Sequence, residues 1–363
     1  MVKCFWLGVL LAACAGACLD VAEERARVDA RVGNAQSAGL RVRVSQGAAA
    51  VRELTATSLQ LWAAAPSLEI ELRADAPTAL SVRIQNALPD GVLRASQNDE
   101  PVAVTEGERE PATDVRYSID LPAGTTTLRF DAPDAADEEP FRFAVFADVQ
   151  EAIDTVQDLF SRMNETPMLR FVLMSGDLTQ QGTAPQLQRF QQELRKLQVP
   201  CFSTLGNHEL GASEDNYHRF FGRGSYHFVF KGAHFTMLDD ASATIAPQAY
   251  EWLDGWLGEG RSAFHSVYMH LPPLDVSGIR NGAMASRAEA DLLLSKLARA
   301  EVDLTVYGHV HTYDAYTNAG IPAFITGGGG AIPERFDHVG RHFLVMEVDP
   351  AEQQLQTAIV RID

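Results

Sequence analysis

FAVFADVQ, residues 143–150, sets a mostly apolar run in front of Asp148, Val149 and Gln150. A strand that ends on a carboxylate, with an amide two residues on, is either an ordinary polar strand end or the start of a ligand set. Both side chains return to one side of an extended segment. The surrounding sequence decides between these readings.

Beyond residue 140, apolar runs at 141–147, 169–174, 200–205, 265–269 and 303–307 alternate with helical patterns. Leu187, Phe190, Leu194 and Leu197 share one helical face, as do Tyr250, Leu253, Trp256 and Leu257. SRAEADLLLSKLARA opens with Ser286 and Glu289 at capping-box spacing. HFLVMEV and LQTAIVRI read as a terminal hairpin around Asp349-Pro350. This rhythm predicts a layered α/β core with largely parallel strands.

Each of the five strands runs into donor residues. The first reaches Asp148 and Gln150; the second, MSGDLTQQG, reaches Asp177; the third, LGNHE, reaches Asn207 and His208. The fourth, YMHLPP, carries His270, and the fifth, YGHVHTY, carries His309 and His311. Ligands of α/β sheets bind beyond the carboxyl ends of the strands. One Asp at a strand end is commonly a cap, and one His is commonly a satisfied core or surface group. Their recurrence at five strand ends points to a metal site.

Upstream, residues 19–66 are rich in Ala and Arg with weak periodicity, which reads as a tether followed by a strand at RVRV (41–44). Clear alternation follows in SLEIELR, ALSVRI, VRYSIDL and TTTLRF, the last two flanking Pro122-Ala123-Gly124. Residues 19–130 are therefore expected to form a small all-β, sandwich-like domain. The acidic DAPDAADEEP (131–140) is the expected linker, and 141–363 the second domain.

Residues 1–18 read as a signal peptide, with Lys3 before an apolar stretch too short to span a bilayer. LAAC at 11–14 resembles the bacterial lipobox, which makes Cys14 the lipid-modified residue. The alternative is a plain secretory signal cut after one of the alanines. The expected location is the bacterial cell envelope or periplasm, with membrane contact only through the N-terminal lipid. Cys4, Cys14 and Cys18 lie in or beside this segment, so Cys201 is left as a small buried apolar residue and no disulfide framework is expected.

The 363 residues are 46% hydrophobic and carry a net charge of −18. That surface repels polyphosphate backbones, so nucleic acid is not an expected partner and a small or modest substrate suits it better.

The order D-x-Q, GD, GNHE, H, GHxH resembles the calcineurin-like metallophosphoesterases over about residues 141–348. The resemblance implies a β-sandwich core flanked by helices and a site for two divalent or trivalent ions among Mn, Fe, Zn and Co. Asp177 would bridge both ions. Asp148, Gln150 and His311 would complete one, and Asn207, His270 and His309 the other. His208 would face the scissile phosphate as a catalytic group beside Asp177. The implied reaction is hydrolysis of phosphate mono- or diesters by a metal-bound hydroxide, outside the cytoplasm. The rival is a non-enzymatic surface lipoprotein that binds through its β-domain and keeps a vestigial metal site.

Further features bear on this reading. Many family members carry His where Gln150 stands; its amide is read as a direct ligand, the alternative being a hydrogen bond to metal-bound water. Gln180 occupies the position of the tyrosinate of purple acid phosphatases, which sets that subfamily aside. Gly327–Gly330 lack the Lys-Ser/Thr of a P-loop and read as a tight turn beside the rim, while Arg280 and Asn281 suggest a lid. Asp239-Asp240 read as a strand end, and His218, His227, His234, His265, His338 and His342 as structural or exposed.

Overall fold

Alternation in the N-terminal region resolves into two packed sheets. The computed structural model describes residues 19–362 except 212, 214, 279–281 and 336; Cys14 with the rest of 1–18, and Arg280 and Asn281, lie outside the described residues. Among the described residues, a six-stranded sheet runs Asn34–Ser37, Leu40–Gln46, Leu68–Ala74, Gly124–Asp131, Val92–Gln97, Glu100–Val102. A five-stranded sheet runs Ala49–Leu54, Ser58–Ala63, Thr78–Gln85, Asp114–Leu121, Val104–Arg109. Leu68, Ile70 and Leu72 of one sheet and Leu80, Val82 and Ile84 of the other are buried in the shared interior. The strands on either side of Pro122-Ala123 pair into different sheets, so this turn crosses between layers instead of closing a hairpin.

The second region is a sandwich of two further sheets. In one, Cys201–Thr204, Leu169–Ser175 and Phe141–Phe146 are parallel neighbours, and the hairpin His342–Asp349/Gln354–Arg361 adds antiparallel to them. In the other, Ala233–Met237, His265–Tyr268, Leu304–Tyr307 and Ile321–Thr326 run parallel, edged by the antiparallel Tyr226–Phe230 and Tyr313–Asn318. Phenylalanines fill the gap between them: Phe143 stacks on Phe171 at 5.6 Å and meets Phe235 edge-on at 5.3 Å. Helices Gln157–Asn164 and Ala184–Leu194 cover one outer face, and Pro247–Glu259 and Arg287–Arg299 the other. Among the described residues no helix is long and apolar enough to cross a membrane.

Three local features differ from the sequence reading. Residues 19–29 are helical and packed, not a tether. Ala22 and Ala26 join the apolar cluster under Pro247–Glu259, Arg25 Nε reaches Asp239 Oδ2 at 2.7 Å, and Asp29 accepts from Gly224 and Ser225 N–H at 2.8 Å each. The buried face is made of alanine, which is why the periodicity was weak. The acidic 131–140 segment is pinned too, with Asp134 accepting from Arg170 at 2.8 Å and Asp137 paired with Lys231. The capping box at Ser286 is half formed: its hydroxyl accepts from Glu289 N, while the Glu289 carboxylate holds Thr244 Oγ1 and Ile245 N at 2.8 Å each.

The β-sandwich is fastened to the core by polar groups as well as by a continuous apolar cluster. Asn86, at φ 57°, donates to Ala63 O and Cys201 O at 2.8 Å each and accepts from Cys201 N at 2.9 Å. It pairs the free edge of the strand Cys201–Thr204, which otherwise presents unmatched backbone groups. Asp114, paired with Arg83 inside its own sheet, also pairs with Arg195 across the junction. Asn86→Ala should cost about 1–3 kcal/mol in denaturant unfolding, because it strands buried backbone donors and acceptors on both sides.

Candidate metal centre

The carboxyl ends of the inner strands meet along one rim, and the backbone there is unusual. Asp148, Gln150, Asp177 and His309 have φ of 64°, 48°, 53° and 68°, all in the left-handed region that non-glycine residues rarely adopt. Such conformations persist only where surrounding bonds over-determine them, and they cluster at functional sites. Asp148 Oδ2 accepts from His309 N at 2.9 Å, and Val149 N donates to Asp177 O at 2.9 Å, so the first, second and fifth loops lock one another. Gly206 is required by this closeness: a Cβ there would collide with the Asp177 carboxylate.

Donor atoms of Asp148, Asp177 and His311 lie within 4.8 Å of one another, and so do those of Asp177, His270 and His309. Asp177 belongs to both groups. Asn207 Oδ1 lies 3.0 Å from His270 Nε2, which sets it on the second group. Gln150 lies on the first: its Nε2 is 2.8 Å from Asp177 Oδ2 and 3.1 Å from His311 Nε2. Amide ligation would present the oxygen to an ion, a half-turn of the same side chain in the same place.

Two imidazoles are oriented by backbone carbonyls. His270 Nδ1 donates to Ser175 O at 2.8 Å and His311 Nδ1 to Ile332 O at 2.7 Å. Each Nε2 thereby faces a carboxylate, Asp177 for His270 and Asp148 for His311. His208 is set apart from the ligand groups. Its backbone N–H donates to Asp177 Oδ1 at 2.9 Å and its Nδ1 to Gln180 O at 2.8 Å, which leaves Nε2 3.8 Å from Asp177 Oδ2. Nitrogen and oxygen donors without thiolate fit Mn, Fe, Zn or Co.

Burial and mutual charge set the protonation of the cluster. Burial pushes Asp148 up to about 6, against the pull of His311 and His270. Burial also opposes ionisation of Asp177, but His270 and His208 outweigh it and hold this carboxyl below the usual range. Burial opposes charge on His270 as well, yet Asp177 raises it to about 10. The charge on His270 thus offsets part of that on Asp177.

Two carboxylates outside the expected donor set hold the loops. Glu209 is fully buried; it accepts from Thr179 N and Gly206 N at 3.0 Å each, and burial with the nearby Asp177 charge raises it to about 8. The signal was present in GNHE, one residue past His208. Asp240 accepts from His270 N at 2.9 Å and Leu271 N at 3.0 Å, and burial raises it to about 7. Asp239 beside it pairs with Arg25. The Gly327–Gly330 turn packs on the rim, with Gly329 N donating to Ala147 O at 2.8 Å and Ala331 N to Asp148 O at 2.9 Å. Cys201 is buried and free.

An ion entering this site displaces the proton on His270. The half-saturating Mn²⁺ concentration should therefore rise about tenfold per pH unit as pH falls from about 8 to about 6, which isothermal titration calorimetry of the chelator-treated protein can measure.

Residues 141–313 match the family model for calcineurin-like phosphoesterase. A 3',5'-cyclic-nucleotide phosphodiesterase of Nostoc sp. is 25% identical over 155 residues, which cover 40% of this chain and 57% of that relative. Among solved structures, that of PhoD aligns over 82% of this chain and 86% of its own, with TM-score 0.50 and 12% identity. This coverage exceeds what 141–363 can supply, so the likeness of fold takes in part of the N-terminal sheets. A dimetal phosphatase from Danio rerio aligns over 61% of this chain and 99% of its own, with TM-score 0.48 and 14% identity. Residues 141–313 of this chain are a calcineurin-like phosphoesterase domain.

Proposed function

We propose that this chain hydrolyses phosphate esters at a site for two metal ions that share Asp177. The observation that carries this is the membership of Asp177 in both donor groups, one with Asp148 and His311 and one with His270 and His309. Two cations about 3.5–4 Å apart need an anionic bridge, and a carboxylate supplies one where an imidazole does not. Asp148, Gln150 and His311 would hold one ion; Asn207, His270 and His309 the other. When bound, the ions supply Lewis acidity and a water acidic enough to act as a nucleophile near neutral pH.

The remaining groups position the ester and move a proton. His208 has Nδ1 held by Gln180 O, which leaves Nε2 to meet a phosphoryl oxygen or protonate the leaving oxygen. A cavity of about 470 Å³ beside it is lined by Gln180, Gln181, Thr183, Asn207, His208 and Gly211. This polar wall suits a leaving group with hydrogen-bonding capacity. The cyclic-nucleotide relative makes a diester a natural member of the substrate panel. The completeness of the donor set argues against a vestigial site.

We also propose that the chain is exported and held at the bacterial envelope by a lipid on Cys14. Palmitate labelling that globomycin abolishes would support this; an unlabelled, freely released protein would overturn it.

The catalytic reading is tested with chromogenic mono- and diesters and with a 3',5'-cyclic nucleotide, under added Mn²⁺. His208→Ala should lower kcat by about 10²–10⁴-fold with metal content unchanged. Asp177→Asn should lose both activity and bound metal. Absence of metal-dependent turnover across the panel, or an unaltered His208→Ala, would sink the proposal.

A further inference from the structure

The outer face of the six-stranded sheet is basic, in a chain whose net charge is −18. Val42, Leu72, Leu93 and Leu128 of its strands turn into the buried interior, so their neighbours along each strand turn outward. The outward residues include Arg41, Arg43, Arg73, Arg94 and Arg129, all exposed. The carboxylates that these strands place on the same face are Glu69, Glu71 and Asp131. Glu69 holds Arg129 at 2.8 Å, and Glu71 lies 3.8 Å from Arg43. Among the described residues no ion pair joins Arg41, Arg73 or Arg94 to a carboxylate.

Register sets these charges against one another. Arg41 is the direct partner of Arg73, and Arg129 of Arg94. Like charges directly opposite on one face of an antiparallel pair destabilise it. Folding gains nothing from either arrangement, whereas an anion lying on the face relieves both. Arg41, Arg43 and Arg73 also line a shallow depression of about 520 Å³, with Asn34, Gln36 and Thr125 as neutral hydrogen-bonding groups and Glu71 as its one carboxylate.

We propose that this face docks the protein on an anionic phospholipid bilayer, with headgroup phosphates against Arg41, Arg43 and Arg73. The five arginines lie on four adjacent strands, which at about 4.8 Å per strand makes an array roughly 14 Å wide. A broad exposed array of this kind meets a plane of phosphates, and the guanidinium fork matches phosphate oxygens. The same plane repels the acidic remainder of the surface, so the basic face is the one turned toward it. The choice of occupant rests on the envelope location proposed above. Only four residues separate Cys14 from the helix at 19–29, and that helix leads through residues 30–33 into Asn34–Ser37, the edge strand of this sheet. A lipid on Cys14 would hold the fold beside a bilayer, and the arginines would orient it there.

The test is co-sedimentation of the full chain carrying Cys14→Ser, which accepts no lipid, with two kinds of vesicle: phosphatidylcholine alone, and phosphatidylcholine mixed equally with phosphatidylglycerol. Any pull from the apolar segment at 5–13 acts on both, so the difference between them reads the arginine face. The chain should prefer the anionic vesicles and lose that preference in high salt. Arg41→Gln and Arg73→Gln should each weaken binding to them about fivefold, with Tm not lowered because each removes a repulsion. Glu71→Gln should strengthen binding, an outcome that misfolding does not produce. No preference for anionic vesicles, or unaltered binding in all three variants, overturns the proposal. So does binding to soluble polyphosphate without binding to vesicles, which would make the face a site for free polyanions. Palmitate labelling of the wild type is scored separately, so failure of the Cys14 reading and failure of the docking face are told apart.

Discussion

One buried carboxylate organises the phosphoesterase domain. Asp177 is 1% exposed, adopts φ 53°, and receives the backbone N–H of His208, the amide of Gln150 and the approach of His270 Nε2 at 3.3 Å. A charge in so little water is costly unless it is matched. The imidazoles of His270 and His208 supply that matching. The loops after four other strands close on this point because each brings part of the compensation. Gly206 allows the closest of them to pass.

Support for the centre extends well beyond the donor residues. Glu209 clamps the loop after Leu169–Ser175 to the loop after Cys201–Thr204, through Thr179 and Gly206. Asp240 holds the backbone on which His270 sits, and its neighbour Asp239 is fixed by Arg25 from the helix at 19–29. The N-terminal helix is thereby part of the scaffold of the rim. The β-sandwich adds stiffness on another side, where Asn86 completes the edge of the strand Cys201–Thr204 that leads directly into Asn207 and His208. Positions of this kind hold reacting groups in place without touching them.

Much of the fold was legible because its signals are local. Period-two alternation in SLEIELR and ALSVRI marked buried strand faces, and Leu187, Phe190 and Leu194 marked a helix that packs on the core. Donor residues after strands were legible because the ends of parallel strands share one rim. The helix at 19–29 was hidden because alanine carries its buried face, so the apolar contrast that period analysis needs is small. The crossing at Pro122-Ala123 was hidden as well. A turn between two alternating runs reads the same whether the strands pair with each other or with different partners.

The sequence by itself determined the chemistry of this protein: oxygen and nitrogen donors at five strand ends, in an order that a phosphoesterase domain requires. Residue type and spacing along the chain suffice for that. Tertiary structure alone decided which donors share a point in space and which hold the others. It put Asp177 in both donor groups, made Glu209 and Asp240 braces, and set Arg41 opposite Arg73 on one sheet face. Those relations depend on strand register and on which loops meet, and register is set by packing between segments far apart in sequence.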